Sequence, residues 1–247
     1  MPVSSIGLDT VAPVDFVSSG IDGLDAMLAG KGCYRGSTVL VSGIAGAGKS
    51  TLAACFAQST CGNGGRTLYF AFEESASQLM RNMHSVGVDL EASVKKDLLR
   101  IEPLRPTVFG LEERLVRVNT LVAKFQPDVV VMDPITSFTS IGNAGEIKSM
   151  LLRLLDHLKQ LGTTTFLTSL TPGSKSDEET ETEVSSMMDT WIIIRFRRTH
   201  GARRRQIYMH KALGIGHSQD IGELIVSNSG VIVKPFLADE EETEGAP

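Results

Sequence analysis

Long hydrophobic runs are missing from this 247-residue chain: the longest, such as Trp191 to Ile194, are strand-length. None approaches the roughly 20 residues that a membrane helix needs. The first residues (MPVSSIGLDTVAP) have neither a basic start nor an apolar stretch, so they do not read as a signal peptide. Cysteine is scarce and odd in number. Cys33, Cys55 and Cys61 are scattered, with no paired Cys-x-x-Cys spacing near histidine to suggest zinc. They read as buried or idle thiols in a reducing compartment, which makes the cytoplasm the expected location. An excess of positive charge is also missing. Lys and Arg number 24 against 29 Asp and Glu, a net −5, which argues against a nucleic-acid binder with a broad basic face. No Pro/Ser-rich linker, low-complexity block or internal repeat interrupts the pattern. The expectation is one domain over residues 16–237, preceded by a flexible leader (1–15) and followed by an acidic, disordered tail (238–247).

What is present is an ordinary globular balance, 42% apolar and 21% charged, with charge unevenly placed. Arg195, Arg197, Arg198, Arg203, Arg204 and Arg205 crowd one region, opposed by the acidic stretches Asp177 to Glu183 and Asp239 to Glu244. Strand and helix signals alternate. Thr38 to Val41 is an apolar run ending in a glycine-rich turn, and a helix follows from about Lys49 to Cys61. Thr67 to Phe72 reads as a strand. Ser75 and Gln78 form a capping box for a helix from Ala76 to about Val86, stopped by Gly87. Leu98 to Ile101 is a strand, and Leu111, Leu115, Val118, Val122 and Phe125 recur at helical spacing. Val129 to Met132 is a strand ending in Asp133. Ile147, Met150, Leu151, Leu154, Leu155, Leu158 and Leu161 mark an amphipathic helix stopped by Gly162. Thr164 to Thr168 is a buried strand. Trp191–Phe196, Gln206–His210, Glu223–Val226 and Val231–Val233 are strands with hairpin-like connections. Repeated strand–helix units predict an α/β fold with a mainly parallel central sheet, helices on both faces and an antiparallel C-terminal edge. The active site is then expected beyond the carboxyl ends of the strands.

The motifs fall at those ends. Gly43-Ile-Ala-Gly-Ala-Gly48-Lys49-Ser50 matches G-x-x-x-x-G-K-[ST] in full, after an apolar strand and at the opening of a helix. Glycines let successive N–H groups face a triphosphate, Lys49 neutralises its outer phosphates, and the Ser50 hydroxyl is a magnesium ligand. Gly43, Ala45, Gly46, Ala47, Gly48, Lys49, Ser50 and Thr51 are therefore the candidate nucleotide-binding residues. Asp133 is placed as the acidic residue that holds magnesium, its other reading being a turn former before Pro134. Glu73 and Glu74 end a strand expected beside the phosphate-loop strand. They are candidate bases for a water or hydroxyl attacking the γ-phosphate, or else two solvated acids at a helix start. Ser50, Asp133 and Glu73 form the set offered to Mg²⁺. Thr168 and Ser169 either sense the γ-phosphate or cap a strand end. By composition Ser185 and Ser186 are two loop serines.

These stretches carry a resemblance. Ser18-Ser-Gly-Ile-Asp-Gly-Leu-Asp25, the phosphate loop, Phe70-Ala-Phe-Glu-Glu-Ser75, Leu79-Met-Arg-Asn82, Val131-Met-Asp-Pro134, Met188-Asp-Thr-Trp191 and Lys211-x-x-Gly214-x-x-His217 together resemble the RecA-like KaiC family of ATPases. The likeness runs from Phe16 to about Val233 and is nearest to the family's C-terminal, self-phosphorylating domain. It implies a RecA-like P-loop fold and a hexameric ring with ATP and Mg²⁺ between subunits. In that ring Arg205, Lys211 and His217 reach across from the neighbour, Glu73 and Glu74 are catalytic, and Ser185 and Ser186 are phospho-acceptors. The same resemblance offers a KaiB-like regulator as a partner, whereas a clock role does not follow from these residues. Three departures stand out: Leu213 where the family usually has arginine, Val86 where some members have a tryptophan near the base, and one domain where clock members have two. The chain is thus either an excised half or a single-domain relative. Two other readings are carried forward: a RecA-like DNA-dependent ATPase, supported by the arginine cluster, and an ATP-binding signalling scaffold with little turnover, supported by Leu213.

Overall fold

A strand buried on both faces needs apolar residues at consecutive positions, and Thr38–Gly43 (β3), buried throughout, supplies them at the centre of the molecule. The structure, a computed structural model, describes residues 13–104, 110–171, 187–199 and 201–235. The elements follow in the order β1 (Phe16–Val17), α1 (Asp22–Met27), β2 (Cys33–Tyr34), β3, α2 (Lys49–Gly62), β4 (Thr67–Ala71), α3 (Ala76–His84), α4 (Glu91–Lys95) and β5 (Leu99–Pro103). Then come α5 (Leu111–Phe125), β6 (Val129–Asp133), a 3-10 helix over Ile135–Ser140, α6 (Ala144–Gln160), β7 (Thr164–Leu170), β8 (Thr190–Thr199), β9 (Ala202–Ala212), β10 (Gly222–Ser227) and β11 (Gly230–Pro235).

Among the described residues, nine strands form one sheet in the order β11-β10-β9-β8-β3-β7-β6-β4-β5, with β1 and β2 paired separately. The pairs from β8 through β5 are parallel, and β8–β9, β9–β10 and β10–β11 are antiparallel. The α/β class, the parallel centre and the antiparallel edge therefore stand as expected of a RecA-like fold, with β8 belonging to the parallel part. The apolar stripes of α1, α2 and α3 cover one face, where Phe56 of α2 packs on Phe166 at 5.1 Å. Those of α5 and α6 cover the other. The capping box expected at Ser75 and Gln78 opens α3, and a second one, Asn143 with Glu146, opens α6. Among the described residues, no helix is long and apolar enough to cross a membrane.

One expectation is corrected. The strand carrying Glu73 and Glu74 does not neighbour the phosphate-loop strand, because β7 and β6 lie between β3 and β4. The reason is the width of the crossover helix. A helix about 10 Å across covers two strands spaced about 4.8 Å. With α2 lying over β6 and β7 as well as β3 and β4, the next strand is set down beyond them.

All three thiols are buried under this layer. Burial pushes Cys33 and Cys55 up from 9.0 to about 12. A raised folded pKa means that the folded chain keeps protons the unfolded chain releases above pH 9. Stability is then full below pH 9 and falls as pH rises toward 12, by about 1.4 kcal/mol per pH unit for each thiol. Denaturant unfolding between pH 8 and 11 should show this decline, and Cys33→Ala should flatten its slope whatever it does to stability at pH 8.

Candidate nucleotide site

The turn from β3 into α2 owes its shape to backbone that other residues would not allow. Gly46 and Gly48 have φ of 76° and 108°, in the left-handed region. A Cβ on Gly43 would stand 2.4 Å from the Ile194 carbonyl oxygen, so β8 passes too close for any side chain there. A Cβ on Gly46 would meet nothing within 4 Å and would stand in open space beside the cavity that Gly46 lines. That open cradle at the N-terminus of a 14-residue helix fits a phosphate. Lys49 is buried, and its Nζ donates to the carbonyls of Gly43 at 2.8 Å and Ile44 at 2.9 Å, which folds the ammonium back over the loop. Ala45, Gly46, Lys49 and Ser50 line a cavity of about 210 Å³, whose other walls include Glu73, Glu74 and Asp133. Ala47 is buried beneath the loop, and Thr51 lies half-buried in the first turn of α2.

Asp133 ends β6, buried to 8% exposure, and both of its carboxylate oxygens accept hydrogen bonds from hydroxyls. Tyr69 donates to Oδ2 at 2.6 Å and Thr168 donates to Oδ1. The bond from Thr168 to Asp133 was not among the roles read from the sequence, and Tyr69 was not foreseen at all. Burial first, then the Asp133 charge, push the Tyr69 phenol well above 10.0, so it remains a donor. Among the described residues, no three His, Cys, Asp or Glu side chains gather into a metal cage. A hydroxyl and a carboxylate facing a phosphate cradle suit Mg²⁺, which takes few protein ligands and completes its shell with phosphate and water oxygens. Ser50, Asp133 and Glu73 do meet at this one cavity.

Glu73 and Glu74 reach the cavity mouth from beyond the end of β4. Glu73 is exposed and accepts from the Ser137 hydroxyl at 3.1 Å, and half-buried Glu74 accepts from the Asn82 amide at 3.0 Å. Each bond engages one oxygen, Oε1 of Glu73 and Oε2 of Glu74. Ser137 carries no motif of its own, and Asn82 only ends the Leu79–Asn82 stretch of the resemblance, with no role attached to it there. Only the placement of the 3-10 helix and α3 reveals them.

The other candidates lie elsewhere. Arg205 and Lys211 sit on β9, and His217 in the segment after it, none of them lining the cavity of their own chain. Arg205 is half-buried with its guanidinium 5.4 Å from the Phe196 ring centre, and Gln219 lies 3.2 Å from His217 Nε2. Leu213 is 54% exposed, while Val86 packs against the core. Ser185 and Ser186 lie outside the described residues. The arginine cluster is the β8–β9 hairpin, where Arg197 faces Arg204 and Arg198 faces Arg203. Arg203 stacks 3.7 Å from the Phe196 ring centre, Arg204 pairs with Glu223 at 3.6 Å, and Arg195 bonds to Gln206.

Comparison with known proteins agrees with this geometry. The family model described as "ATPase: KaiC" matches residues 17–238. Circadian clock protein KaiC2 of Synechocystis sp. (strain ATCC 27184 / PCC 6803 / Kazusa) is 42% identical over 99% of this chain and 44% of its own length. KaiC3 of the same organism is 32% identical over 96% of this chain and 47% of its own length. The circadian clock oscillator protein KaiC of Parathermosynechococcus lividus is 32% identical over 94% and 43%. The chain spans less than half the length of these relatives. With a phosphate cradle, a clamped Asp133 and paired glutamates meeting in one cavity, and a family match from residue 17 to residue 238, the chain belongs to the KaiC family of ATPases.

Proposed function

We propose that the chain binds ATP with Mg²⁺ on the loop from Gly43 to Thr51 and hydrolyses it. The observation that carries this is the meeting of Lys49, Ser50, Asp133, Glu73 and Glu74 around one cavity at the carboxyl ends of β3, β4 and β6. Backbone N–H groups and the α2 dipole hold the phosphates, and Lys49 offsets charge on the outer ones. Ser50 and Asp133, with Glu73 beside them, would hold magnesium, which would offset charge on the phosphates. A water meets the γ-phosphorus in line. Glu73 or Glu74 takes its proton, the bond from the γ-phosphorus to the bridging oxygen breaks, and ADP leaves with that electron pair.

The same site supports a finer reading, in which the protein assembles as a hexameric ring and Arg205, Lys211 and His217 complete the neighbour's site. Its support is that these three side chains lie away from their own cavity, as groups serving another subunit would. A serine hydroxyl, Ser185 or Ser186, then replaces water as the attacking group, which makes the protein a serine/threonine autokinase, and a KaiB-like protein is the expected regulator. Incubation with ATP and Mg²⁺ tests this. Phosphate release, a particle near six times the 26.6 kDa chain mass and phosphate on the Ser185–Ser186 peptide are expected. Phosphate release with an unmodified peptide leaves the ATPase alone standing. A DNA-dependent ATPase is less well supported, because Arg195, Arg203, Arg204 and Arg205 have partners inside the chain.

A further inference from the structure

We infer that Tyr69 is a positioning residue for the magnesium-binding carboxylate, its hydroxyl and that of Thr168 holding Asp133 from the two strands that flank it. This rests on the ATP and magnesium reading of the cavity. Asp133 ends β6, with β7 on one side and β4 on the other. Met132 pairs with Leu167, so the next residue of β7, Thr168, stands beside Asp133. On the other side Ala71 pairs with Asp133 and Tyr69 with Val131. Strand alternation puts Tyr69 on the same face as Ala71, and its ring reaches along that face to the carboxylate. The hydroxyls take one oxygen each, Tyr69 Oδ2 and Thr168 Oδ1.

Packing alone does not explain this tyrosine. Tyr69 is 0% exposed, and Phe56, Phe70 and Phe72 fill similarly buried positions without a hydroxyl. A buried hydroxyl needs a partner, and here the partner is the buried Asp133 carboxylate, which lines the cavity beside the phosphate loop. The choice of donor has a consequence. Lys or Arg in this place would fix Asp133 but cancel its charge toward a cation. A neutral phenol and a neutral alcohol fix its rotamer, leave the full negative charge, and leave each oxygen a lone pair for a metal ion or its water. Groups that orient a ligand in this way typically change metal affinity by about 10- to 100-fold when removed.

Tyr69→Phe keeps the ring and removes the hydroxyl. Binding of a fluorescent ATP analogue is measured in EDTA and then titrated with Mg²⁺. Affinity in EDTA should stay within about twofold of the parent, while the Mg²⁺ midpoint rises about tenfold. Mn²⁺ binding to the nucleotide complex, read by electron paramagnetic resonance, should weaken in parallel. Thr168→Val should move both readings the same way and Thr168→Ser should not, which keeps the test intact if Tyr69→Phe folds poorly. Unchanged Mg²⁺ midpoints in Tyr69→Phe and Thr168→Val overturn the inference while the phosphate-loop reading stands. A parent that takes up no nucleotide in either condition sinks both.

Discussion

Replacing Glu73 and Glu74 together by glutamine is expected to slow phosphate release by about 10²- to 10⁴-fold, the range a positioned general base supplies, while ATP still binds. Glutamine keeps the volume and keeps a carbonyl oxygen able to accept from Ser137 and Asn82, so the 3.1 Å and 3.0 Å bonds that hold the two side chains have a like-for-like acceptor. What disappears is the capacity to take a proton and the negative charge near the γ-phosphate. Loss of that charge relieves repulsion, so ATP affinity should be equal or slightly higher. Separating binding from turnover in this way is the signature of a chemical role. The single variants assign the base. Glu74 is half-buried and Glu73 is exposed, so the larger loss should fall on Glu74→Gln if the better-screened carboxylate does the work. A parent whose slow phosphate release the double variant matches would leave an ATP-binding scaffold, the reading that Leu213 keeps in play.

How much of this site could be read from the chain itself depends on the range of the interaction. The phosphate loop is a local signal, with apolar strand, glycine turn and helix start inside thirteen residues, Thr38 to Ser50, and the structure has them in that order. Helices with caps were legible for the same reason, as Ser75 with Gln78 shows. The short helices α1 and α4 were not. Their N-cap residues, Ile21 and Leu90, make no side-chain cap bond, and at α4 the acceptor is Asp89, one position earlier, whose Oδ1 takes the Glu91 and Ala92 N–H groups. Strand order is non-local and was misjudged at β4. That error hid Tyr69, whose meeting with Asp133, 64 positions away, depends on β4 lying next to β6. The contacts of Ser137 and Asn82 escaped notice for a related reason: they touch the candidate carboxylates only after the 3-10 helix and α3 fold over the cavity mouth.

Lys49→Ala should raise the dissociation constant for ATP by about 10- to 100-fold. Hydrogen bonds to charged groups contribute about 1.5–3 kcal/mol, and each 1.4 kcal/mol is a factor of ten in affinity. The variant should fold. The two carbonyls that Lys49 bonds keep backbone partners, since the Gly43 carbonyl also accepts from the Thr171 N–H and the Ile44 carbonyl from the Ala47 N–H, both at 3.2 Å. Removal of the side chain therefore leaves no orphaned acceptor under the loop, and the cradle formed by Gly46 and Gly48 retains its shape. What remains for the phosphates is backbone N–H groups and the α2 dipole, which serve the inner phosphates as well as the outer ones. The loss should accordingly be graded: large for ATP, smaller for ADP, and slight for AMP, which has no outer phosphate to lose. Calorimetric titration of the three nucleotides against parent and variant measures that gradient. ATP bound by Lys49→Ala as tightly as by the parent would mean that the ammonium at 2.8 Å and 2.9 Å from the loop carbonyls serves the loop alone, and the nucleotide reading of the cavity would fall with it.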